Sequence, residues 1–166
     1  MNFELPLYAQ EKPNTCALAC LRMVLAAFGT HVSESTLEAQ TLMKERGTLI
    51  DELERLARQY GLVAQIRETT VDDLRRILAE GKLPIAYLDR AVFDLNPRQR
   101  AKHSLKDAKI HTVVPTNLTD ASVTFHDPLP PRIARKSLRL FRQAHGLLGG
   151  YCVVCSKQEH AERVEP

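Results

Sequence analysis

Apolar residues recur at helical spacing through the first half of the chain and alternate with polar residues through much of the second half. Residues 15–28 are apolar nearly all round, which predicts a central, buried helix that ends at Gly29. The pattern of a Ser or Thr followed three residues later by Glu or Asp predicts three further helix starts. These starts are Ser35, Thr48 and Thr70, with the helix ends near Gly47, Gly61 and Gly81.

Strands are predicted wherever apolar and β-branched residues alternate over short runs: 62–67, 84–88, two runs within 110–127, and 150–156. The two runs within 110–127 are separated by a polar turn at 117–120, so they predict a hairpin. A rigid turn over 128–131 and a helix over 133–144 are predicted to follow. Helices come first and most of the sheet comes later, which predicts an α+β fold.

Length and composition predict a single domain over residues 1–166. A hydrophobic fraction of 44% and a charged fraction of 26% are typical of a globular protein of this size. Within the domain, residues 1–14 are expected to form an extended lead-in and residues 157–166 a flexible polar tail. Residues 89–109 lose periodicity and gain charge, which predicts a long surface loop. Such a loop is either functional or an inert insertion, and the sequence leaves both open.

Composition and charge exclude several classes of function. Tryptophan is absent and aromatic residues make up only 5% of the chain, which argues against a sugar-stacking or base-stacking surface. The net charge of +3 is too small to indicate a nucleic-acid partner. No apolar run approaches the ~20 residues that span a bilayer, and the first ten residues lack the features of a signal peptide. We therefore expect a cytoplasmic protein without a membrane segment.

The chain has four cysteines, Cys16, Cys20, Cys152 and Cys155. A reducing cytoplasm disfavours disulfide bonds between them. Cys152 and Cys155 have CxxC spacing, but on a strand they face opposite sides and cannot bind one metal ion together. Burial as small side chains is the main expectation for all but Cys16, with redox or metal-binding roles as alternatives. We expect no cofactor and no metal.

Cys16 opens the buried helix, a position that favours a thiol nucleophile. The positive end of the helix dipole stabilises a thiolate there, and the first backbone amides of the helix have no partner within it. Those amides can donate to an oxyanion, and Gln10, six residues upstream, can supply a second donor. The sequence therefore predicts a nucleophile at Cys16 and an oxyanion donor at Gln10.

A base and its partner are predicted at the two ends of the hairpin. His111 opens the first strand and Asp127 ends the second, so the hairpin brings them together as a Cys-His-Asp triad requires. Asp120 is a competing partner for His111 but lies at the turn. His126 is expected to point away from the face that carries Asp127. Surface positions are expected for the remaining histidines, which are His31, His103, His145 and His160.

Together these residues resemble the papain-like cysteine peptidases that remove double-glycine leader peptides from bacteriocins. The glutamine, the ALACLRM after the first Cys, the strand that opens with His and the terminal HDP follow that family's spacing. The resemblance covers nearly the whole chain. It implies a papain-like fold, with the nucleophile at a helix start packed on an antiparallel sheet. It also assigns roles: Cys16 nucleophile, His111 base, Asp127 orienting carboxylate and Gln10 oxyanion donor.

The sequence departs from this family at three places, which affect the expected substrate more than the expected chemistry. Thr15 replaces the family's aspartate, Ala17 replaces its glycine, and about fifteen additional residues precede His111. The best-known members are fused to membrane transporters, whereas here we expect a stand-alone domain. The resemblance implies cleavage of a peptide or protein, after small residues such as Gly-Gly. Two alternatives stay open: an acyltransferase or deamidase acting on protein side chains, and a non-catalytic peptide-binding module.

Two further features suggest partners or processing. A partner protein could dock at the 89–109 loop or on a predicted basic helix over 132–142, although a basic stripe is more commonly a solvated face. The stripe consists of Arg132, Arg135, Lys136, Arg139 and Arg142. Gly149 and Gly150 form a glycine pair, which we interpret as a turn before the last strand rather than a self-cleavage site.

Overall fold

The structure is a computed structural model that describes residues 4–42 and 47–158. The helices are α1 Cys16–Ala27, α2 Glu34–Ala39, α3 Ile50–Gln59, α4 Val71–Ala79, α5 Ala91–Asp94, α6 Pro97–Lys102 and α7 Leu138–Leu147. The strands are β1 Leu62–Glu68, β2 Leu83–Asp89, β3 Ile110–Leu118, β4 Ser122–Pro128, β5 Pro131–Ser137 and β6 Tyr151–Lys157. No helix within these two ranges combines the length and apolar character needed to cross a membrane.

All six strands form one antiparallel sheet in the order β1-β6-β2-β3-β4-β5, with helices on both faces. Helices α1, α2 and α3 cover one face, and α4, α5 and α7 cover the other. Alternate residues of β6 enter the two cores: Val153 and Cys155 the first, Cys152 and Val154 the second. The α+β prediction is confirmed, and Cys152 and Cys155 face opposite sides as expected.

Helix α1 is buried along most of its length, as its apolar composition predicts. It ends at Ala27 and is followed by Phe28 and Gly29, and the φ of 95° at Gly29 lies in the left-handed region that favours glycine. The N–H of Thr30 donates to the carbonyl of Leu25 and closes the helix. The Cys20 thiol donates to the carbonyl of Thr112 at 3.4 Å, which joins the middle of α1 to β3.

The predicted helix starts are correct for α4 and wrong for α2 and α3. Thr70 forms a capping box with Asp73 at the start of α4. Helix α2 is instead capped by Ser33, whose hydroxyl accepts from the N–H of Thr36, and it ends at Ala39 well before Gly47. Residues 43–46, which the predicted helix included, lie outside the described residues. Helix α3 starts at Ile50 without a side-chain cap, because the buried Thr48 hydroxyl does not reach its amides.

The helix predicted over 133–144 is wrong in its first half. Residues 131–137 form β5, which pairs in register with β4, and Ser137 then caps α7 by accepting from the N–H of Leu140. Ala134 enters the core while Ile133 is 62% exposed, which is strand alternation on an edge. The basic residues over 132–142 are therefore divided between a strand and a helix, and the predicted basic helix does not exist.

Residues 89–109 contain α5, α6 and a 3₁₀ turn at Leu105–Asp107 where a loop was expected. The segment is tied down by Asp89, which is fully buried and pairs with the imidazole of His103. His103 and His145 were expected at the surface, and both expectations are wrong. His145 is buried because its Nδ1 donates to the Tyr87 carbonyl at 2.7 Å. His31 is exposed as predicted, and His160 lies outside the described residues.

The glycine pair before β6 forms a turn, as interpreted. Gly149 and Gly150 both have positive φ, at 79° and 69°. A Cβ atom at Gly150 would lie 2.5 Å from the carbonyl oxygen of Thr69, so the backbones approach too closely for any other residue.

Candidate active site

The packing of α1 against β3 and β4 brings the predicted site residues into one cleft. Cys16 is the first residue of α1, His111 is the second residue of β3, and Asp127 lies next to the end of β4. Gln10, Cys16 and His111 line a cleft of about 350 Å³. The four residues singled out in the sequence therefore lie in one region, with Asp127 behind the cleft wall.

His111 and Asp127 form a buried, hydrogen-bonded pair. Nε2 of His111 lies 2.7 Å from Oδ1 of Asp127, and the two residues are only 5% and 4% exposed. Oδ1 also accepts from the N–H of Leu129 at 3.0 Å, which fixes the carboxylate. Because Nε2 is engaged, Nδ1 is the ring atom left to face the thiol. The competing carboxylate, Asp120, is exposed and pairs with Arg75 instead.

The electrostatics of the cleft favour an ionised thiol. Burial alone would raise the pKa of Cys16, but the hydrogen bond with His111, the neighbouring Thr112 and the charge of His111 outweigh it and lower the pKa below the ordinary 9.0. For His111, burial opposes the charged form. The hydrogen bonds to Asp127 and Cys16 prevail and raise its pKa from 6.5 to about 9. Both shifts favour the thiolate–imidazolium pair over the neutral pair.

Gln10 is positioned by two hydrogen bonds of its own. Its backbone N–H donates to the Pro128 carbonyl at 3.1 Å, which ties the lead-in to the residue after Asp127. Its side-chain Nε2 donates to the Lys12 carbonyl at 2.7 Å. A side-chain amide carries two N–H groups, and the contact with Lys12 uses one of them.

Two residues near the site, Thr112 and Glu34, were not predicted from the sequence to lie there. Thr112 follows His111 directly, so its place next to the thiol could have been inferred from that adjacency. Glu34 is 1% exposed and accepts from the backbone N–H of Glu11 at 2.9 Å, which holds the segment between Gln10 and Cys16. No sequence signal indicates this contact, because it depends on how α2 packs beside the lead-in.

A second Cys–His cluster offers a comparison within the same molecule. The hydroxyl of Thr69 lies 3.0 Å from Nε2 of His145 and 3.6 Å from Sγ of Cys152. Burial raises the pKa of Cys152 to about 11 and lowers the pKa of His145, so this cluster favours neutral groups. All four cysteines are described and free, and Cys16 alone has a lowered pKa.

The cleft continues into a larger apolar groove of about 660 Å³. Gly47, Thr48, Tyr87 and Ile110 line both depressions, and further walls of the groove are formed by Leu49, Leu105, Leu147 and Leu148. The hydroxyl of Tyr87 is buried without a hydrogen-bond partner among the described residues. The same described part of the chain contains no group of three or more His, Cys, Asp or Glu arranged to hold a metal ion.

The fold is similar to those of several solved peptidase structures. No curated protein sequence matches the chain. A C39-like peptidase from Bacillus anthracis is similar in structure, with a TM-score of 0.75, 16% identity, and coverage of 95% of this chain and 96% of that one. The peptidase domain of Streptococcus ComA, a bifunctional ABC transporter of a quorum-sensing pathway, gives 0.69 at 14% identity, with 93% and 100% covered.

A double glycine motif protease from an AMS/PCAT transporter, solved in complex with the leader peptide, gives a TM-score of 0.61 at 16% identity, with 95% and 94% covered. At these identities the likeness shows the fold alone. The model of the peptidase C39 family matches residues 4–144, which is most of the chain. On that match the chain belongs to the peptidase C39 family and is a cysteine peptidase.

Proposed function

We propose that this peptidase cleaves a peptide substrate through Cys16, His111, Asp127 and Gln10. The observation that carries the proposal is the buried His111–Asp127 hydrogen bond beside a helix-opening cysteine whose pKa is lowered. Covalent acyl transfer requires a nucleophile, a base next to the nucleophile and a group that orients the base. In the Cys152–His145 cluster the pKa of the thiol is raised and the pKa of the imidazole is lowered, so the neutral forms are favoured there. This contrast supports Cys16 rather than another cysteine as the nucleophile.

The proposed reaction follows from these positions. The Cys16 thiolate attacks the carbonyl carbon of the scissile peptide bond and forms a C–S bond. The backbone N–H of Cys16 and the free side-chain N–H of Gln10 donate to the resulting oxyanion. The His111 imidazolium then gives its proton to the leaving amine as the C–N bond breaks. Water, deprotonated by neutral His111, releases the acyl group, while Asp127 holds the imidazole in one orientation and stabilises its charged form.

The shape of the site supports an extended substrate. The cleft beside Cys16 opens directly into the apolar groove, so a peptide bound across Cys16 can place apolar side chains there. One structural relative is a double glycine motif protease crystallised with a leader peptide. By analogy we propose a substrate with small residues such as Gly-Gly before the scissile bond and apolar residues nearby.

The first test is intact-mass labelling with a limiting amount of the epoxide inhibitor E-64. We expect a single adduct on the wild-type protein and none on Cys16→Ala or His111→Ala. Cys152→Ala is the matched control and should label like the wild type, because that thiol is buried and its pKa is raised. If E-64 does not fit the cleft, iodoacetamide at pH 6 replaces it. A Cys16 thiol that reacts with neither reagent would refute the proposal.

Mass spectrometry also separates hydrolysis from the related reactions open to such a triad. Peptidase activity yields two fragments whose masses sum to the substrate plus one water. Deamidation instead adds about 1 Da to an intact glutamine peptide, and acyl transfer produces an amine adduct. Intact substrate carrying either change would replace cleavage with side-chain chemistry.

A further inference from the structure

The two ends of the 89–109 segment form part of the active-site cleft. Arg90 directly follows β2 and Lys109 directly precedes β3, and both line the cleft that contains Cys16 and His111. The N–H of Arg90 donates to the carbonyl of Lys109 at 2.9 Å, so the two residues are held side by side. A segment that is remote in sequence from Cys16 therefore contributes two cationic side chains near the reacting atoms.

A buried carboxylate fixes this arrangement. Oδ1 of Asp89 accepts from the N–H of Ala91 at 3.0 Å and from the N–H of Lys109 at 2.8 Å. Its other oxygen pairs with His103 from the middle of the segment. The fully buried Asp89 side chain thus anchors the backbone of Ala91, next to Arg90, and the backbone of Lys109. The fold therefore fixes the backbone positions from which the two cationic side chains extend.

Apart from Cys16 and His111, the charged side chains among the described residues that line the cleft are both cations, Arg90 and Lys109. Among the described residues that line it there is no Asp or Glu. Neither Arg90 nor Lys109 forms an ion pair with another described residue. Clefts lined by one sign of charge concentrate ligands of the opposite sign.

We infer that Arg90 and Lys109 bind a carboxylate of the substrate close to the scissile bond. The partly buried Arg90 offers a planar pair of donors for a bidentate contact, and the exposed Lys109 offers a point charge beside it. The carboxylate belongs either to an acidic side chain or to the free C-terminus of a short leaving peptide. That the ligand is a peptide rests on the proposed function, whereas the preference for an anion rests on the cleft alone.

The test that needs no substrate compares two small alkylating reagents at Cys16. Iodoacetate is anionic and iodoacetamide is neutral, and both transfer a two-carbon group to the thiolate with release of iodide. We expect the rate constant for iodoacetate, divided by that for iodoacetamide, to fall about tenfold in the Arg90→Gln/Lys109→Gln double variant, because the cations that attract iodoacetate are removed. The iodoacetamide rate itself should change little, which shows that the thiolate and the fold are intact.

The matched control is Arg98→Gln/Lys102→Gln, which removes the same charge from exposed positions of α6 outside the cleft. Its ratio should stay near the wild-type value, and 0.5 M salt should lower the wild-type ratio toward that of the double variant. An unchanged ratio in Arg90→Gln/Lys109→Gln, or an equal fall in the control, would overturn the inference. Such a result would leave Cys16 reactive and the proposed peptidase function standing.

A second arm identifies the source of the carboxylate. The substrates are Gly-Gly peptides that carry either Glu or Gln at one of the three positions before or the three positions after the glycines. Each peptide is prepared both as the C-terminal acid and as the C-terminal amide. About tenfold higher kcat/KM for Glu at one position indicates an acidic side chain, and the same gain for the acid over the amide indicates the terminus. Either preference must disappear in Arg90→Gln/Lys109→Gln. A preference that persists there would overturn the inference, as would equal kcat/KM across the whole set.

Discussion

Replacing Asp127 with Asn should narrow the pH range over which His111 is charged. The pKa of His111 rises from 6.5 to about 9 against the opposing effect of burial. At 1.36 kcal/mol for each pH unit, this favours the imidazolium by about 3 kcal/mol. After burial, the hydrogen bond with Asp127 is the largest contribution, and it stabilises the charged form. Removing that negative charge must therefore lower the pKa.

If Asp127 supplies about half of this stabilisation, the pKa of His111 in Asp127→Asn falls to roughly 7.8. At pH 8 the imidazolium fraction then drops from about 90% to about 40%. The carbonyl oxygen of Asn can still accept from the N–H of Leu129, which Oδ1 of Asp127 accepts at 3.0 Å. The fold should therefore remain intact and the alkaline limb of activity should move to lower pH.

The direct assay is an NMR titration of the His111 ring, assigned by its loss in His111→Gln. Asp120→Asn serves as the control, because that carboxylate is exposed and lies at the turn of the hairpin. The midpoint should fall by more than one pH unit in Asp127→Asn and stay unchanged in Asp120→Asn. A midpoint that stays near 9 in Asp127→Asn would show that another group holds the charge on the ring.

Three further changes, one of them with a matched control, test separate parts of the structure. Gln10→Ala should lower kcat by about 10² to 10³ with little change in KM, and full activity would exclude Gln10 as an oxyanion donor. Gly150→Ala should reduce the free energy of unfolding by about 1–3 kcal/mol in a denaturant titration, because its Cβ would lie 2.5 Å from the Thr69 carbonyl at positive φ. Gly146→Ala, with open space around it, should not destabilise the protein in the same titration. Phe125→Ala should cost about 3–5 kcal/mol, since the ring is 1% exposed and packs on two other aromatic rings, and a loss below 1 kcal/mol would contradict this packing.

The sequence predicts the parts of the site that depend on local geometry. A hairpin places its two ends together whatever surrounds it, so the approach of His111 to Asp127 could be expected from 110–127 alone. An apolar helix must be buried, so α1 could be expected against the sheet with Cys16 at its start. The same reasoning predicts the fold class, because the order of helices and strands is visible in the spacing of apolar residues.

Parts that depend on distant contacts could not be predicted in this way. Residues 131–137 carry so few apolar side chains that their periodicity is ambiguous, and only the ladder to β4 makes them a strand. The burial of His103 depends on Asp89, fourteen positions earlier, across a segment without clear periodicity. The place of Glu34 beside the lead-in depends on the packing of α2, which has no counterpart in the local sequence.

The long separation in sequence between α1 and β3 has a consequence for biosynthesis. The contact that joins them, from Cys20 to Thr112, spans 92 positions. While a ribosome is still producing β3, Cys16 has neither His111 nor Thr112 beside it, so it is an ordinary, weakly nucleophilic thiol. On the proposed mechanism, the activated thiol therefore forms only when the hairpin docks on α1. A nascent chain would then carry no activated nucleophile until both strands of the hairpin have been made.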